Sequence, residues 1–209
     1  MTDRPFIIVG GGGHARVVAS TLRQLNETIL GFTDPDGEAP LGNDVEHLGG
    51  DAILTEYATS DVVLAVGIGS SSDTARHARL FAEQNEYDFE FPSIIHPNAF
   101  VAPEVSIEQG GQVMAGAVVQ PGTALAENAI VNTNATIDHD CEVGPHVHVA
   151  PGATLSGNVS LAPRVHVGTG ASIIQGVRVG TRSVVGAGAV VTEDVPPDQT
   201  VVGIPAHPK

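Results

Sequence analysis

From Ile95 onward, every sixth residue is aliphatic. The series runs through Val101, Ile107, Val113, Val119, Leu125, Val131, Ile137, Val143, Val149, Leu155, Leu161, Val167, Ile173, Val179, Val185 and Val191 without an exception. At roughly one chance in three per position, so long a run has a probability on the order of 10⁻⁸. A second column, four residues after each of these, is small or β-branched throughout (Ala117, Thr123, Ala129, Ala135, Cys141 and Val147 in the middle of the run). Neither a strand's period of two nor a helix's 3.6 puts every sixth residue alone in a core. A chain that turns a corner every six residues does. Three hexapeptides then make a triangular coil, and coils stacked about 4.8 Å apart turn each short face into part of a parallel sheet. Each coil buries its apolar column only against its neighbours, so the fold grows in one dimension. The pattern predicts an aliphatic residue filling each corner. It also predicts φ > 0 at the Gly, Asn and Asp residues beside it: Asn132, Asp138, Gly144, Gly168, Gly180 and Gly186.

Ahead of the repeat the period changes. Phe6 to Val9 reads as a buried strand, followed directly by Gly10 to Gly13. His14 to Leu25 reads as a helix with Val17, Val18, Leu22 and Leu25 on its apolar side. Thr28 to Thr33 predicts a second strand ending at Asp34, in the turn Asp34-Pro35-Asp36-Gly37. Val62 to Val66 predicts another strand, closed by Gly67. A helix over Ser70 to Glu86 would be capped by one of the serines 70–72, and Phe89-Glu90-Phe91 alternates like an edge strand. The chain therefore divides into a Rossmann-like α/β half-domain, residues 1–92, and a solenoid with a short tail, residues 93–209. A strand, a glycine turn and a helix N-terminus form an anion site, because the first helical amides lack internal partners. Gly10-x-Gly12-x-x-Ala15 fits the dinucleotide form, with Asp34 where a ribose-binding acid would stand. The segment is too short for the six-strand double unit, so a mononucleotide half-fold holding a phosphate or nucleotide is expected.

At the far end, Val195-Pro196-Pro197 stops the repeat, since proline cannot donate to a ladder, and Val202 to Ala206 is expected to lie back on the last coil. With 24 Asp and Glu against 9 Lys and Arg, the net charge of −15 argues against nucleic acid or an anionic membrane as partner. Cys141, the single cysteine, falls in the small-residue column and reads as core filler. The first residues lack the features of a signal peptide and no stretch is long enough to span a membrane, so a soluble, cytoplasmic protein is expected.

One part of the solenoid is rich in ionisable groups: Asn132-Thr133-Asn134-Ala135-Thr136-Ile137-Asp138-His139-Asp140-Cys141, followed by His146, His148 and His166. His139 belongs to neither core column, so it should point outward. Asp138 and Asp140 beside it favour the imidazolium and make it a better base. His148 and His166 are 18 residues apart, one coil, and should stack, as should Arg164 and Arg182. Gly157 lies one coil beyond His139 and leaves space in front of it.

These residues carry a resemblance. Gly12-Gly13-His14-Ala15, Asn132-Thr133, His139-Asp140-Cys141, His148, Gly152-Ala153, Gly157-Asn158 and the terminal Val202-Gly203-Ile204-Pro205-Ala206 are together similar to the bacterial sugar acetyltransferases of the hexapeptide-repeat type. That family includes the UDP-4-amino-sugar N-acetyltransferases of bacillosamine synthesis, perosamine N-acetyltransferase and the sialic acid O-acetyltransferases. The resemblance implies a left-handed parallel β-helix and a direct transfer from acetyl-CoA to a nucleotide-linked amino sugar, without a metal, in cell-surface polysaccharide biosynthesis. His139 would be the general base and Asp140 would raise its basicity. Asn132 and His148 would place the thioester and pantetheine, with Thr169 and Ala187 as the next CoA contacts and the Gly157 N–H meeting the oxyanion. Arg164 and Arg182 would offer a landing site for CoA phosphate, and Gly12, Gly13, His14, Asp34 and Gly67 would hold the nucleotide-sugar. Pro35 departs from the family's second acid, and His207 stands where a stronger base is usual. Members of the family are homotrimers with CoA between adjacent subunits. Two alternatives stay open: O-acetylation of a sialic acid-type sugar, and a zinc hydro-lyase resembling the γ-class carbonic anhydrases. The latter's His-x₄-His spacing is absent, the histidines here being 9 and 18 apart. A non-catalytic nucleotide-binding scaffold would have no use for Asp138-His139-Asp140.

Overall fold

Phe6–Val9 (β1) is apolar at all four positions and buried at all four, as befits a central strand covered on both faces. It pairs in parallel with Ile29–Thr33 (β2) on one side and Val63–Val66 (β4) on the other, and Glu46–Gly49 (β3) extends the sheet beyond β2. The computed structural model describes residues 2–35, 41, 42, 44–70 and 74–209, and within them this four-stranded sheet has the order β3-β2-β1-β4. Alternate side chains of β1 go to opposite layers. Phe6 and Ile8 pack with Val18 and Leu22 of the helix Gly13–Gln24 (α1); Ile7 and Val9 pack with Leu80 and Phe81 of Ala75–Asn85 (α2).

Several local expectations change. Val17 is exposed by about a third, while Ala15, Ala19 and Thr21 join Val18 and Leu22 on the buried side. The buried α1 stripe is rotated away from Val17, because small residues meet the sheet and Ile94 and Met114 of the solenoid complete the packing. Helix α2 begins at Ala75, and Ser70 does not cap it, since its hydroxyl faces two histidines of the solenoid. Ser71 and Ser72, like Asp36 and Gly37 of the expected turn, lie outside the described residues. Phe89 and Phe91 are buried and Glu90 exposed, but the backbone bonds there are single ones to two different neighbours, Leu64 N–H to Glu90 O at 2.9 Å and Gly110 N–H to Phe91 O at 2.6 Å, and no strand forms. The sequence reading missed β3 and the 3₁₀ helix Asp51–Glu56, which are short and half polar.

The six-residue period folds as stacked triangular coils, with two-residue strands forming three parallel faces. The first face runs from Ile94–Ile95 through Gln112–Val113, Ile130–Val131, His148–Val149 and His166–Val167 to Val184–Val185. The second runs from Phe100–Val101 to Val190–Val191, and the third from Ser106–Ile107 to Arg178–Val179. Each aliphatic residue is the second of its strand. The corners fall two and three residues later, so the prediction that aliphatic residues fill the corners is corrected. From Val113 to Val191 every residue of that column is buried. The left-handed backbone falls at the second corner residue (Asn128, Asn134, Asp140, His146, Asn158, Arg164 and Arg182) and not at Asn132, Asp138, Gly144, Gly168, Gly180 or Gly186. Four of those six are glycine for another reason. At Gly144 a Cβ would lie 2.8 Å from Leu161 O, and at Gly168 and Gly180 the backbone of the next coil is as close or closer; at Gly186 the obstacle is Val202.

The faces differ in what covers them. On the first, the outward residues Ile94, Gln112, Ile130, His148 and His166 are buried, because the α/β part lies on them. Phe100 and Thr154 on the second face, and Ser106, Glu142 and Arg178 on the third, are exposed. Beyond Val191, Thr200–Val202 continues the first face and His207–Pro208 folds back antiparallel to it; of the segment Val202 to Ala206, Ala206 packs on the solenoid core and donates to Val190 O at 2.8 Å, while Ile204 is exposed. No helix among the described residues is long and apolar enough to cross a membrane.

Substituting Gly144 by Ala is expected to lower stability by about 2 kcal/mol or more, the range of overpacked core sites. Gly176→Asn should stay within about 0.5 kcal/mol, because Gly176 has φ +74° and nothing within 4 Å of a Cβ. Denaturant titrations of the two variants check this, and equal losses would contradict it.

Candidate active site

The turn from Thr136–Ile137 on the second face to Glu142–Val143 on the third carries Asp138, His139 and Asp140. Asp140 is the left-handed corner residue, φ +57°, and a Cβ on Gly122 would lie 2.4 Å from its Oδ1. The carboxylate rests over that glycine and reaches back to His139, whose Nδ1–H donates to Asp140 Oδ2 at 2.8 Å. Asp138 Oδ1 accepts the His139 backbone N–H at 2.8 Å. The imidazole occupies the space left by Gly157, where a Cβ would fall 2.6 Å from both Cε1 and Nε2. With the proton on Nδ1 held by Asp140, Nε2 carries the lone pair. The hydrogen bond to Asp140, and secondarily the Asp138 charge, raise the His139 pKa above its ordinary 6.5. The side chain is 60% exposed, so the imidazole is outside the prism, and Asp140 borders a polar hollow of about 380 Å³ with Glu142, Asn158 and Arg178.

A larger cleft, about 690 Å³, opens where α1 and the segment after β4 meet the first face. It brings together Gly13 and His14 from the front part with Asn132, His148, Thr169 and Ala187 from the solenoid. The spacing explains the convergence: Thr133, Pro151, Thr169 and Ala187 are successive residues of one corner column, and His148 and His166 pair across adjacent strands. Asn132 Oδ1 accepts the Thr133 N–H at 2.8 Å, and its Nδ2 lies 3.0 Å from His148 Nε2. The other nitrogen of His148 is 2.9 Å from Ser70 Oγ, which is 2.8 Å from His166 Nδ1. Burial pushes both imidazoles below the usual pKa, His148 well below. His14 donates from Nε2 to Gln112 Oε1 at 2.8 Å, and Gln112 Nε2–H donates to Val66 O at 2.8 Å. Its pKa is pushed down to about 4, mainly by burial, so it is neutral near pH 7.

The glycine turn is open where it should be. No side chain caps α1, and a Cβ on Gly12 or Gly13 would meet nothing within 4 Å. Asp34 spends Oδ2 on the Gly11 N–H at 2.9 Å, shaping the turn as well as facing it. Gly67 is a packing residue, its missing Cβ leaving room for Ile8 Cγ2 at 2.7 Å and Ala15 Cβ at 2.8 Å. Gly12, Asp34 and Gly67 do not line the cleft.

Two expected groupings do not form within one chain. His139, Asp140 and Gly157 sit at the corner between the second and third faces, on a different edge from the cleft. Arg164 and Arg182 stack one coil apart, as expected, but at the corner between the third and first faces; Arg182 holds Asp198 through two bonds of 2.6 Å. Within one chain, His139 does not converge with His148 and His166. Among the described residues no group of three or more His, Cys, Asp or Glu is placed to hold a metal ion. Cys141 is buried filler with its thiol pKa raised by burial. The sequence reading missed Ser70, Gln112 and His77, whose ring nitrogens face Ile68 O and Asn128 O at 2.7 and 2.8 Å. For Gln112 the signal was available: the outward residues Ile94, Gln112, Ile130, His148, His166 and Val184, spaced by 18, are too apolar or too weakly charged for a solvated face. Ser70 and His77 gave none.

The family model of the PglD N-terminal domain matches residues 5–79. The crystal structure of PerB from Caulobacter crescentus with CoA and GDP-perosamine is 35% identical, with 100% of this chain and 98% of that chain covered and a TM-score of 0.92. The acetyltransferase domain of PglB from Neisseria gonorrhoeae with acetyl coenzyme A is also 35% identical, covered over 100% of both chains, at a TM-score of 0.93. WeeI from Acinetobacter baumannii, at 24% identity, a TM-score of 0.82 and 99% and 100% coverage, shares the fold. No curated protein matches by sequence search. The solenoid is of the left-handed class. With about a third of its residues shared with PerB and with the acetyltransferase domain of PglB, over nearly the whole of each matched chain, the chain belongs to the sugar acetyltransferases of the hexapeptide-repeat family.

Proposed function

We propose that this protein transfers the acetyl group of acetyl-CoA to the amine of a nucleotide-linked amino sugar, with His139 as general base. The observation that carries the reading is the His139 pair: an exposed imidazole whose Nδ1–H is held by Asp140 and whose Nε2 lies over Gly157. The relatives that bind CoA with GDP-perosamine, or acetyl coenzyme A, support the substrate classes. The α/β part, residues 1–92, presents the open amides of Gly12 and Gly13 to the nucleotide-sugar phosphates, where a helix N-terminus favours negative charge. The solenoid, residues 93–209, holds acetyl-CoA with Asn132, His148, Thr169 and Ala187. The sugar amine attacks the thioester carbonyl, Nε2 of His139 takes its proton, and the thiolate of CoA leaves as the tetrahedral intermediate collapses. The Gly157 N–H, without an acceptor among the described residues, stabilises the oxyanion.

Base and cleft lie on different edges of one chain, so the site needs two copies. A homotrimer is a closed ring that sets the His139 edge of each chain against the cleft of the next. Asp198 occupies Arg182, which leaves the Arg164–Arg182 pair no part in the cleft of its own chain.

His139→Ala should lower kcat by roughly 10²–10⁴-fold and leave the Kd for acetyl-CoA unchanged. Retention of more than about a tenth of the activity, assayed against UDP-, GDP-, dTDP- and CMP-linked amino sugars, contradicts the role. The pH profile gives an independent check. A raised pKa keeps His139 protonated to higher pH, so kcat/KM should climb through a value above 6.5. Asp140→Asn removes the carboxylate that favours the imidazolium, and should move that limb to lower pH while lowering the plateau. An unmoved limb would show that Asp140 does not act on the base.

A further inference from the structure

Ser70 joins the two halves of the cleft at one atom. It follows β4 and Gly67 on the nucleotide side, and its hydroxyl sits between His148 and His166 on the solenoid. We propose that Ser70 is a positioning residue of the acetyl-CoA half-site: its hydroxyl fixes His148 in the Nδ1–H tautomer and thereby aligns the Asn132 amide. The inference rests on the acetyl-CoA role given above to Asn132 and His148.

Proton positions follow from the partners. Asn132 Oδ1 accepts from the Thr133 N–H at 2.8 Å and lies 3.4 Å from the Thr133 hydroxyl, so the Asn132 NH₂ must face His148. It donates to Nε2 at 3.0 Å, which makes Nε2 an acceptor. A buried imidazole is neutral here and has one N–H, which is then on Nδ1 and donates to Ser70 Oγ at 2.9 Å. The Ser70 O–H is left to donate to His166 Nδ1 at 2.8 Å. Every bond in the chain runs one way, from Thr133 to His166. The Ser70 backbone N–H also points at His148 Nδ1, 3.1 Å away, and suits the other tautomer. That tautomer would set Nε2–H against the Asn132 NH₂, two donors face to face in a buried site. The Nδ1–H tautomer carries a conflict of its own, the Ser70 backbone N–H facing the Nδ1 proton, and the serine hydroxyl, the acceptor facing Nδ1 among the described residues, offsets it and decides between them.

Removing the hydroxyl should therefore switch the ring. In Ser70→Ala the backbone N–H of residue 70 becomes the only partner of Nδ1, the proton moves to Nε2, and Asn132 loses its orientation. Leaving a buried donor unpaired corresponds to roughly a tenfold change in an equilibrium. The test is the histidine ¹⁵N spectrum of the full-length protein, which reports the His148 tautomer without any substrate, together with acetyl-CoA binding by calorimetry. Expected are Nδ1–H in the native protein and in Ser70→Thr, Nε2–H in Ser70→Ala, and an acetyl-CoA Kd about tenfold weaker in Ser70→Ala alone. A native His148 with its proton on Nε2 overturns the proposal, and needs no variant to fold. So does a tautomer switch that leaves Kd unchanged, or a weakened Kd without the switch. Should His139→Ala keep its activity, the reaction assigned above fails, while the tautomer result still stands or falls separately.

Discussion

Backbone pairing between successive coils, at a fixed offset of 18 residues, is the constraint on which the rest of this structure depends. Each short strand donates to and accepts from the strands one coil before and after, as Ile130 pairs with His148 and His148 with His166. A two-residue strand is worth little alone, and its stability comes from being repeated on a buried aliphatic column. The offset leaves no freedom to slide. A slip of one residue would turn the Val, Ile and Leu column outward and bring the corner residues into the core. Rigid register also places chemistry, because whatever stands 18 residues from a given side chain lies above it at strand spacing. Gly157 is thereby held under the His139 ring, and Thr169 and Ala187 are lined up along one wall of the cleft.

The three faces of such a prism start out equivalent, and the α/β part breaks the equivalence. It settles on the first face through Gln112, His148 and His166, which are neutral polar side chains able to bond with the segment after β4 and with α1. The cleft exists because that contact is incomplete. The glycine turn and the N-terminus of α1 stand beside the corner column, and the cleft of about 690 Å³ lies between them. His139 lies on another edge, between its two aspartates and open to solvent. A buried histidine such as His14 has a depressed pKa and is neutral near pH 7, whereas His139 has a raised one. Environment, not residue type, separates the buried histidines of the cleft from His139, the proposed base.

Much of this was legible in the residues. The unbroken column from Ile95 to Val191 is enough to give stacked triangular coils, since no other backbone buries that period. His139 pointing outward between two aspartates follows from its offset within the hexapeptide. The corner geometry was misjudged because Gly, Asn and Asp occur at two kinds of position. Asn134 and Asp140 adopt the left-handed backbone, whereas Gly144 and Gly168 make room for the neighbouring coil. Composition does not separate a demand on φ from a demand on space. Ser70 was invisible for a different reason. Its partners are 78 and 96 residues away in the chain, and nothing local in a run of serines says which one faces a histidine. Long-range polar contacts of single residues carry no periodicity to read.

The central claim is that the base of one chain serves the cleft of another. Mixing two inactive variants tests it directly: His139→Ala, which keeps its cleft, and Asn132→Ala/His148→Ala, which keeps its base. Unfolded together in equal amounts and refolded, they should recover roughly a quarter of native turnover, because one site in four then pairs an intact base with an intact cleft. A mixture no more active than its separate parts, in assemblies shown to contain both chains, would contradict the account.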